Sequence, residues 1–229
     1  MIAIITSTLQ PAKGKSYFSF EDRVLQTKES LLKLQGAGFH QVFLIDNSDT
    51  LDQYQVEQLL ADFPFVEKFH CRQYQFENKG INELLMLLAL CREIPSETPV
   101  FKISGRYYPN EHFSQPDFKD VAVKGEHFYN RTGIISTRAY WVKNKDLLKE
   151  ILLKTLDVIY TYNHEVTDLK ALFKAFLKLV GLKTIPLNLS IEFAMATALK
   201  AGNYHILFLN PIGLEGYIAG GDHLHQIKE

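Results

Sequence analysis

The first 109 residues alternate between short strand-like runs and helical patterns, and this alternation restricts the fold more than any other feature of the sequence. Two runs are continuous and apolar, Ile2 to Ile5 and Val42 to Ile45, and a third, Val100 to Ile103, is apolar apart from Lys102. The run from Phe65 to Cys71 alternates apolar with polar residues. Strands that are joined by helices return across a sheet and run parallel. The sequence therefore predicts an α/β fold with a mainly parallel central sheet flanked by helices on both faces.

Helical start and stop signals lie between these runs. Ser19 and Asp22 have the spacing of a capping box before the first helix, which a pair of glycines ends. A second helix is expected over Leu51 to Phe63, and a third begins at Asn78 and ends before Pro95. The order predicted for this half is β-α-β-α-β-α-β.

The second half of the chain is less regular and more helical. Short strands are predicted at Val121 to Val123, Phe128 to Tyr129, Gly133 to Ser136 and, last in the chain, His205 to Leu209. Helices are predicted at Lys145 to Tyr160, Val166 to Val180 and Ile191 to Ala201. We expect the lysine-rich faces of these helices to be solvated. The change in composition after Pro109 predicts a second lobe on the same sheet, within a single domain over residues 1–229.

Composition and charge exclude several classes of protein. The 229 residues are 46% hydrophobic, which is ample for a core, and the net charge of −1 gives no bulk attraction to nucleic acid or membranes. No apolar run approaches the ~20 residues that a membrane span needs. The apolar N-terminus has no positively charged leader, so we expect a cytoplasmic protein. The sequence leaves the oligomeric state open.

Polar residues follow three of the predicted strands. They are Thr6-Ser7-Thr8, Asp46-Asn47-Ser48 and Ser104-Gly105-Arg106. In an open parallel sheet, ligands bind beyond the carboxyl ends of the strands. Three polar strand ends at one edge therefore indicate a binding site, with a plain turn and helix cap as the less favoured interpretation of Asp46-Asn47-Ser48.

The segments IAIITSTL, VFLIDNSD, ENKGINELLML and FKISGRYYP resemble the A-type fold of nucleotide-diphosphosugar glycosyltransferases over roughly the first half of the chain. The resemblance implies a nucleotide-binding half at residues 1–109 and an acceptor-side half at 110–229. It also implies that the end of the first strand and an acidic residue after the second strand hold the nucleoside. The matching donor-binding candidates are Thr6, Thr8, Arg23, Asp46 and Asn47.

The segment Asn78-Lys79-Gly80 resembles the family's opening of the third helix. Gly80 would allow close approach of a ligand to the backbone, and a helix N-terminus favours negative charge. A plain role as helix cap is an equally good interpretation of Asn78.

One departure from the family concerns metal binding. Many such enzymes carry Asp-x-Asp after the fourth strand, whereas this chain has Ser104-Gly105-Arg106 and no carboxylate before Glu111. Arg106, together with Lys102, could neutralise a diphosphate through charge-assisted hydrogen bonds. We therefore expect donor binding without a cofactor, with a divalent metal as the less favoured alternative. Arg106 could instead be a structural ion-pair partner.

The resemblance implies transfer of a sugar from a nucleotide-sugar donor to a polysaccharide or glycolipid precursor. An inverting reaction needs a carboxylate that deprotonates the acceptor, and Glu192, in an otherwise apolar segment, is the candidate. Glu192 could also simply cap its helix. A non-catalytic nucleotide- or sugar-binding protein of the same fold is the alternative, and an unrelated doubly wound phosphosugar-binding regulator is a third.

Other motifs carry less weight. The chain has no Gly-x-Ser-x-Gly, no phosphate-binding Gly-Lys-Ser/Thr loop and no Gly-x-Gly-x-x-Gly, which disfavours hydrolase, NTPase and dinucleotide-dependent functions. Asp222, His223 and His225 could bind a metal, but their spacing matches no established site. No metal ligand is therefore assigned.

Overall fold

The computed structural model describes residues 1–13, 16–72, 76–126, 133–164, 168–180, 187–220 and 223–228. The strands in this part of the chain are β1 (Ile2–Ser7), β2 (Gln41–Asp46), β3 (Val66–His70), β4 (Val100–Ser104), β5 (Tyr107–Pro109), β6 (Val121–Glu126), β7 (Ile134–Val142), β8 (Ile206–Phe208), β9 (Leu214–Gly220) and β10 (His223–Lys228). The helices are α1 (Phe20–Gly36), α2 (Gln53–Leu59), α3 (Lys79–Leu90), α4 (Lys145–His164), α5 (Leu169–Leu179) and α6 (Ile191–Ala201).

The central sheet has seven strands in the order β3-β2-β1-β4-β7-β6-β8. Strands β1 to β4 pair in parallel, as the sequence predicts. Strand β7 runs antiparallel to both of its neighbours, whereas β6 and β8 are parallel to each other. The sheet is thus mainly parallel, with one reversed strand that brings the second half of the chain onto its edge.

Helices cover both faces of the sheet, which confirms the predicted layering. On one face, α3, α4 and α6 pack on residues such as Ile4 and Phe43. On the other face, α1 and α2 pack over Phe101 and the single tryptophan, Trp141. Trp141 is fully buried and its indole lies 4.5 Å from the Phe101 ring, centroid to centroid. Its fluorescence will therefore report on the integrity of the core.

The predicted capping signals are present in the structure. Ser19 accepts a hydrogen bond from the Asp22 amide at 3.1 Å, and the Asp22 carboxylate accepts one from the Ser19 amide at 3.0 Å. This reciprocal pair fixes the start of α1. Helix α2 is shorter than predicted at both ends: Asp52 caps it, so its first turn begins at Gln53, and the helix ends at Leu59.

The glycine-rich tail differs from the prediction. His205 to Leu209 was predicted as the last strand and does contain β8, but the chain then forms a hairpin of β9 and β10. Strand β9 pairs with β5 and so completes a second sheet of three strands. The predicted strand at Phe128 to Tyr129 lies outside the described residues. No helix among the described residues is both long and apolar enough to cross a membrane.

Candidate functional site

A cleft of about 610 Å³ opens at the carboxyl ends of β1, β2 and β4. The parallel register sets Thr6 beside Ser104 and Ser7 beside Asp46, so three strands end at one edge of the sheet. Helices α1 and α3 supply the side walls, each through residues one helical turn apart. Of the predicted site residues, eight line this cleft: Thr6, Thr8, Arg23, Asn47, Lys79, Ser104, Gly105 and Arg106.

Two arginines from different elements meet in this cleft. Arg23 projects from α1 and Arg106 follows β4, and their guanidinium carbons lie 5.5 Å and 5.8 Å from the centroid of the same Phe18 ring. Arg23 also donates to the Ser16 hydroxyl at 3.0 Å. Within the described part of the chain, no carboxylate forms an ion pair with either guanidinium. The cleft therefore presents two positive charges around one aromatic ring.

The proximity of these arginines has an electrostatic cost. The pKa of Arg23 is lowered to about 10, chiefly by burial and also by the positive charge of Arg106. Asp46 opposes the shift without cancelling it. Arg23 remains charged at neutral pH. An anion between the two guanidinium groups would relieve their repulsion, so the geometry is that of an anion-binding site.

Small polar groups form the floor of the cleft. Thr8 donates its hydroxyl to the Asn47 side-chain oxygen at 2.5 Å, which joins the loops after β1 and β2. The Gly105 amide donates to the Thr6 carbonyl at 2.9 Å. A Cβ at Gly105 would lie 3.2 Å from both Ile5 and Thr27, so only glycine fits without displacing its neighbours. The sequence predicted that the residues in these two hydrogen bonds contact the donor. In the structure, their contacts with one another set the shape of the cleft floor.

Asp46 lies beneath the cleft floor and does not line it. Its side chain is fully buried, and its two oxygens accept hydrogen bonds from the Leu9 amide at 2.7 Å and the Ser48 amide at 2.9 Å. The pKa of this carboxyl is raised, because the effect of burial is larger than the opposing effect of the hydrogen bonds from Ser48 and Leu9. Where the sequence predicted a contact with the nucleoside, the structure shows Asp46 holding the two loops that flank the cleft.

Asn78 and Gly80 also serve the framework of the site. Asn78 caps α3 by accepting from the Gly80 amide at 2.9 Å, and it donates to the Leu187 and Leu189 carbonyls at 2.6 Å and 2.9 Å. A Cβ on Gly80 would lie 2.8 Å from the Ile191 Cβ. Gly80 thus permits close packing of α3 against α6, where the sequence predicted close approach of a ligand. Lys79, between them, does line the cleft.

Lys102 is completely buried and pairs with Glu83, a cleft residue that the sequence analysis did not select. The Lys102 ammonium also donates to the Thr137 carbonyl at 2.7 Å and the Ser104 hydroxyl at 3.3 Å. Thr6 donates to the same Glu83 oxygen at 3.4 Å. The charge predicted to contact a diphosphate is therefore neutralised below the cleft floor, and Glu83 is the group that reaches the cleft.

Glu192 lies in the first turn of α6 and is half-buried. The Thr137 hydroxyl donates to its carboxylate at 3.5 Å. Glu192 does not line the cleft. It is connected to the cleft indirectly, because the Thr137 carbonyl accepts a hydrogen bond from Lys102, the partner of Glu83. Ser190 caps α6 by accepting from the Phe193 amide, so the cap does not depend on Glu192.

Other cleft residues were also missed by the sequence analysis. They lie in the loops after β1 and β2, in the segments before α1 and α3, and in these two helices: Pro11, Ala12, Ser16, Tyr17, Phe18, Thr27, Asp49, Phe76, Glu77, Asn82, Glu83 and Met86. For Glu83 a signal existed, since it is the only acid of a largely apolar helix, and a buried strand carries a single lysine. Phe18 gave no comparable signal, because only the tertiary fold brings its loop to the strand ends.

The described residues contain no group of three or more histidine, cysteine, aspartate or glutamate side chains that could hold a metal ion. The weak candidate at the C-terminus cannot be placed there, because Asp222 and the side chains of His223 and His225 lie outside the described residues.

The protein resembles known proteins in its three-dimensional structure and not in its sequence. No protein-family model matches the sequence, and no curated protein matches it. The galactosyltransferase LgtC, solved with donor and acceptor sugar analogues, superimposes with a TM-score of 0.55 at 8% identity, over 96% of this chain and 87% of its own. The fold is that of the nucleotide-diphosphosugar transferases.

Two proteins of Streptococcus pneumoniae share this fold. The glycosyltransferase GlyE gives a TM-score of 0.53 at 11% identity, and the match covers 90% of this chain but 44% of GlyE. The CTP:phosphocholine cytidylyltransferase LicC gives 0.51 at 10% identity, over 94% of this chain and 92% of LicC. The nucleotide-diphosphosugar transferase fold thus carries both glycosyl transfer and nucleotidyl transfer among these neighbours.

Proposed function

We propose that this protein is a glycosyltransferase that moves a sugar from a nucleotide-sugar donor to a polysaccharide or glycolipid precursor without a divalent metal. The observation that carries the proposal is the pair of guanidinium groups, Arg23 and Arg106, held in the cleft at the strand ends. This is the edge of an open α/β sheet where ligands bind. Two arginines that face one space suit a diphosphate, because each can donate paired hydrogen bonds to phosphate oxygens.

The remaining predicted donor-binding residues then divide into two groups. Thr6, Thr8, Asn47 and Lys79, with the Ser104-Gly105 backbone, line the cleft and can contact the donor directly. Asp46, Asn78, Gly80 and Lys102 act indirectly, since they hold the strand-end loops and the start of α3 in place. Glycan or glycolipid binding is assigned to the half formed by residues 110–229.

In the proposed reaction the diphosphate leaves as the glycosidic bond breaks, and negative charge builds on its oxygens. Arg106 stabilises this charge more in the transition state than in the bound donor, which is the condition for accelerating the reaction. The pre-existing repulsion between Arg23 and Arg106 makes the cleft more receptive as the leaving group becomes more negative.

An inverting transfer also needs a base for the acceptor hydroxyl. Glu192, the predicted base, lies off the cleft wall and would need the acceptor to approach along β7 and α6. Glu83 lies on the wall but is paired with Lys102. Turnover of Glu192→Gln and Glu83→Gln, each compared with its donor affinity, distinguishes the two assignments.

The same observation favours a second candidate, a non-catalytic protein that binds nucleotide sugars. The two arginines can hold a diphosphate whether or not a catalytic base is present, so the cleft could bind a donor without transferring it. Turnover separates this candidate from the glycosyltransferase.

The test of the proposed function is Arg106→Ala, measured for turnover, donor affinity and melting temperature in the same preparation. We expect turnover to fall about 10²-fold or more, as on removal of one preorganised donor, with a smaller loss of affinity. Arg106→Lys should restore only part of the rate, because an ammonium lacks the paired donors. Arg92→Ala, an exposed arginine outside the cleft, is the matched control. Unchanged turnover in folded Arg106→Ala would overturn this role.

A further inference from the structure

Helix α5 differs from the other helices in the placement of its apolar face. Leu169, Leu172, Phe173 and Phe176 follow the spacing of a single helical face. An amphipathic helix normally packs such a face on the core. Here these side chains are exposed, with Leu169 84%, Phe173 62% and Phe176 56% accessible. The face is therefore available to an external surface.

The polar side of α5 is basic. The segment LKALFKAFLKL contains three lysines and no acidic residue, within a chain whose net charge is −1. Lys170 and Lys174 lie one turn apart and are exposed beside the apolar face. A short helix with leucine and phenylalanine on one side and lysine on the other is typical of helices that lie in the interface of an anionic membrane.

Neighbouring residues and dimensions favour a membrane over a protein partner. Tyr160 and Tyr162, near the end of α4, are 59% and 61% exposed, and tyrosine is common at the level of lipid headgroups. The helix has 11 residues and is about 16 Å long and about 10 Å wide. That strip is small beside the ~800 Å² per partner that a stable protein interface buries. Insertion of a helix face into a fluid bilayer does not require a protein surface of that size.

We propose that α5 is a membrane-surface helix, which inserts its apolar face into an anionic bilayer while its lysines contact lipid phosphates. The chain runs from Val180 to Leu187 in seven residues, which span at most about 25 Å. Leu187 accepts a hydrogen bond from Asn78, which lies between the cleft residues Glu77 and Lys79. This connection limits how far the α3 wall of the cleft can lie from a membrane-bound α5.

Flotation of the full chain with vesicles tests this proposal. We expect binding to phosphatidylcholine vesicles that contain phosphatidylglycerol, and weaker binding to phosphatidylcholine alone. Each lysine near an anionic surface contributes about fivefold, so Lys170→Glu with Lys174→Glu should lower binding roughly 25-fold or more. Phe173→Ser with Phe176→Ser should abolish binding to both vesicle types.

Matched variants on other surfaces provide the controls. Leu25 and Leu32 of α1 are 66% and 58% exposed, so Leu25→Ser with Leu32→Ser removes comparable apolar area elsewhere. Lys33→Glu with Lys143→Glu repeats the charge change at exposed sites outside α5. Both control pairs should bind vesicles as the wild type does, and Trp141 fluorescence confirms that each variant is folded.

Three outcomes would overturn the proposal. The first is no binding of the wild type to anionic vesicles, and the second is equal binding by the α5 variants. The third is a wild-type dimer that Phe173→Ser with Phe176→Ser dissociates, without vesicle binding, since a second copy would then cover the face. None of these outcomes depends on nucleotide binding or turnover, so they leave the proposed glycosyl transfer to its own test.

Discussion

At the scale of single residues, polar side chains at the ends of the buried strands point in two directions. Thr6, Asn47 and Ser104 follow buried strands, and all three line the cleft. Asp46 occupies an equivalent strand end, yet its carboxylate turns inward to two backbone amides. Whether an acid at a strand end serves a ligand or the neighbouring loops depends on loop geometry, which composition does not encode.

The buried Asp46 carboxyl should make stability depend on pH. Because burial raises its folded-state pKa, it contributes stability that is fully present below its unfolded pKa of about 3.9 and is lost as the pH rises through the folded value. Asp46→Asn lacks this contribution. We expect the difference in unfolding free energy, wild type minus Asp46→Asn, to decrease as the pH rises from about 4. Denaturant titrations followed by Trp141 fluorescence measure it, and parallel pH profiles would contradict the assignment.

At the scale of elements, two lone charges in apolar segments proved to be partners. Lys102 is the only charged residue of β4, and Glu83 is the only acid of α3. Their ion pair ties the helix to the sheet beneath the cleft. The sequence contains both charges, but their pairing across elements follows from the packing of α3 on the sheet and not from any spacing along the chain.

Breaking this pair should be costly, whereas replacing both partners should not. Glu83→Leu leaves the buried Lys102 charge unpaired, and we expect a loss of about 3–5 kcal/mol in unfolding free energy. Glu83→Leu with Lys102→Met should recover most of that loss, because no uncompensated charge remains. Lys28→Met, which breaks an exposed pair with Asp62, should cost under about 1 kcal/mol. Additive losses in the double variant would show that the two charges do not interact.

Strands that form short apolar runs were predicted from the sequence, whereas strands that depend on pairing with a distant segment were not. Strands β1, β2 and β4 are buried on both faces, and their runs, apolar apart from Lys102 in β4, are visible in the sequence. Strands β9 and β10 lie in a glycine-rich tail with no such run, and β9 is fixed by pairing with the distant β5. The reversal of β7 depends likewise on its position between β4 and β6.

At the scale of the whole molecule, the nucleotide-diphosphosugar transferase fold places two arginines in a cleft where the strands of one edge converge. Arg23 comes from α1 and Arg106 from the end of β4, and the fold holds both near Phe18 despite their repulsion. The glycosyltransferase proposal explains this arrangement as a site for a donor diphosphate. Under this proposal, nucleotide sugars bind the cleft through the arginines and without a metal.

Isothermal titration with UDP- and GDP-type nucleotides and nucleotide sugars, in the presence of EDTA, measures whether the cleft binds a donor without a metal. We expect at least one ligand to bind under chelation, and Arg23→Ala to weaken it about 10- to 100-fold, the value of a hydrogen bond to a charged group. Arg92→Ala should bind as the wild type does. Failure of every ligand in the panel to bind, or binding that appears only when magnesium or manganese is restored, would contradict the account.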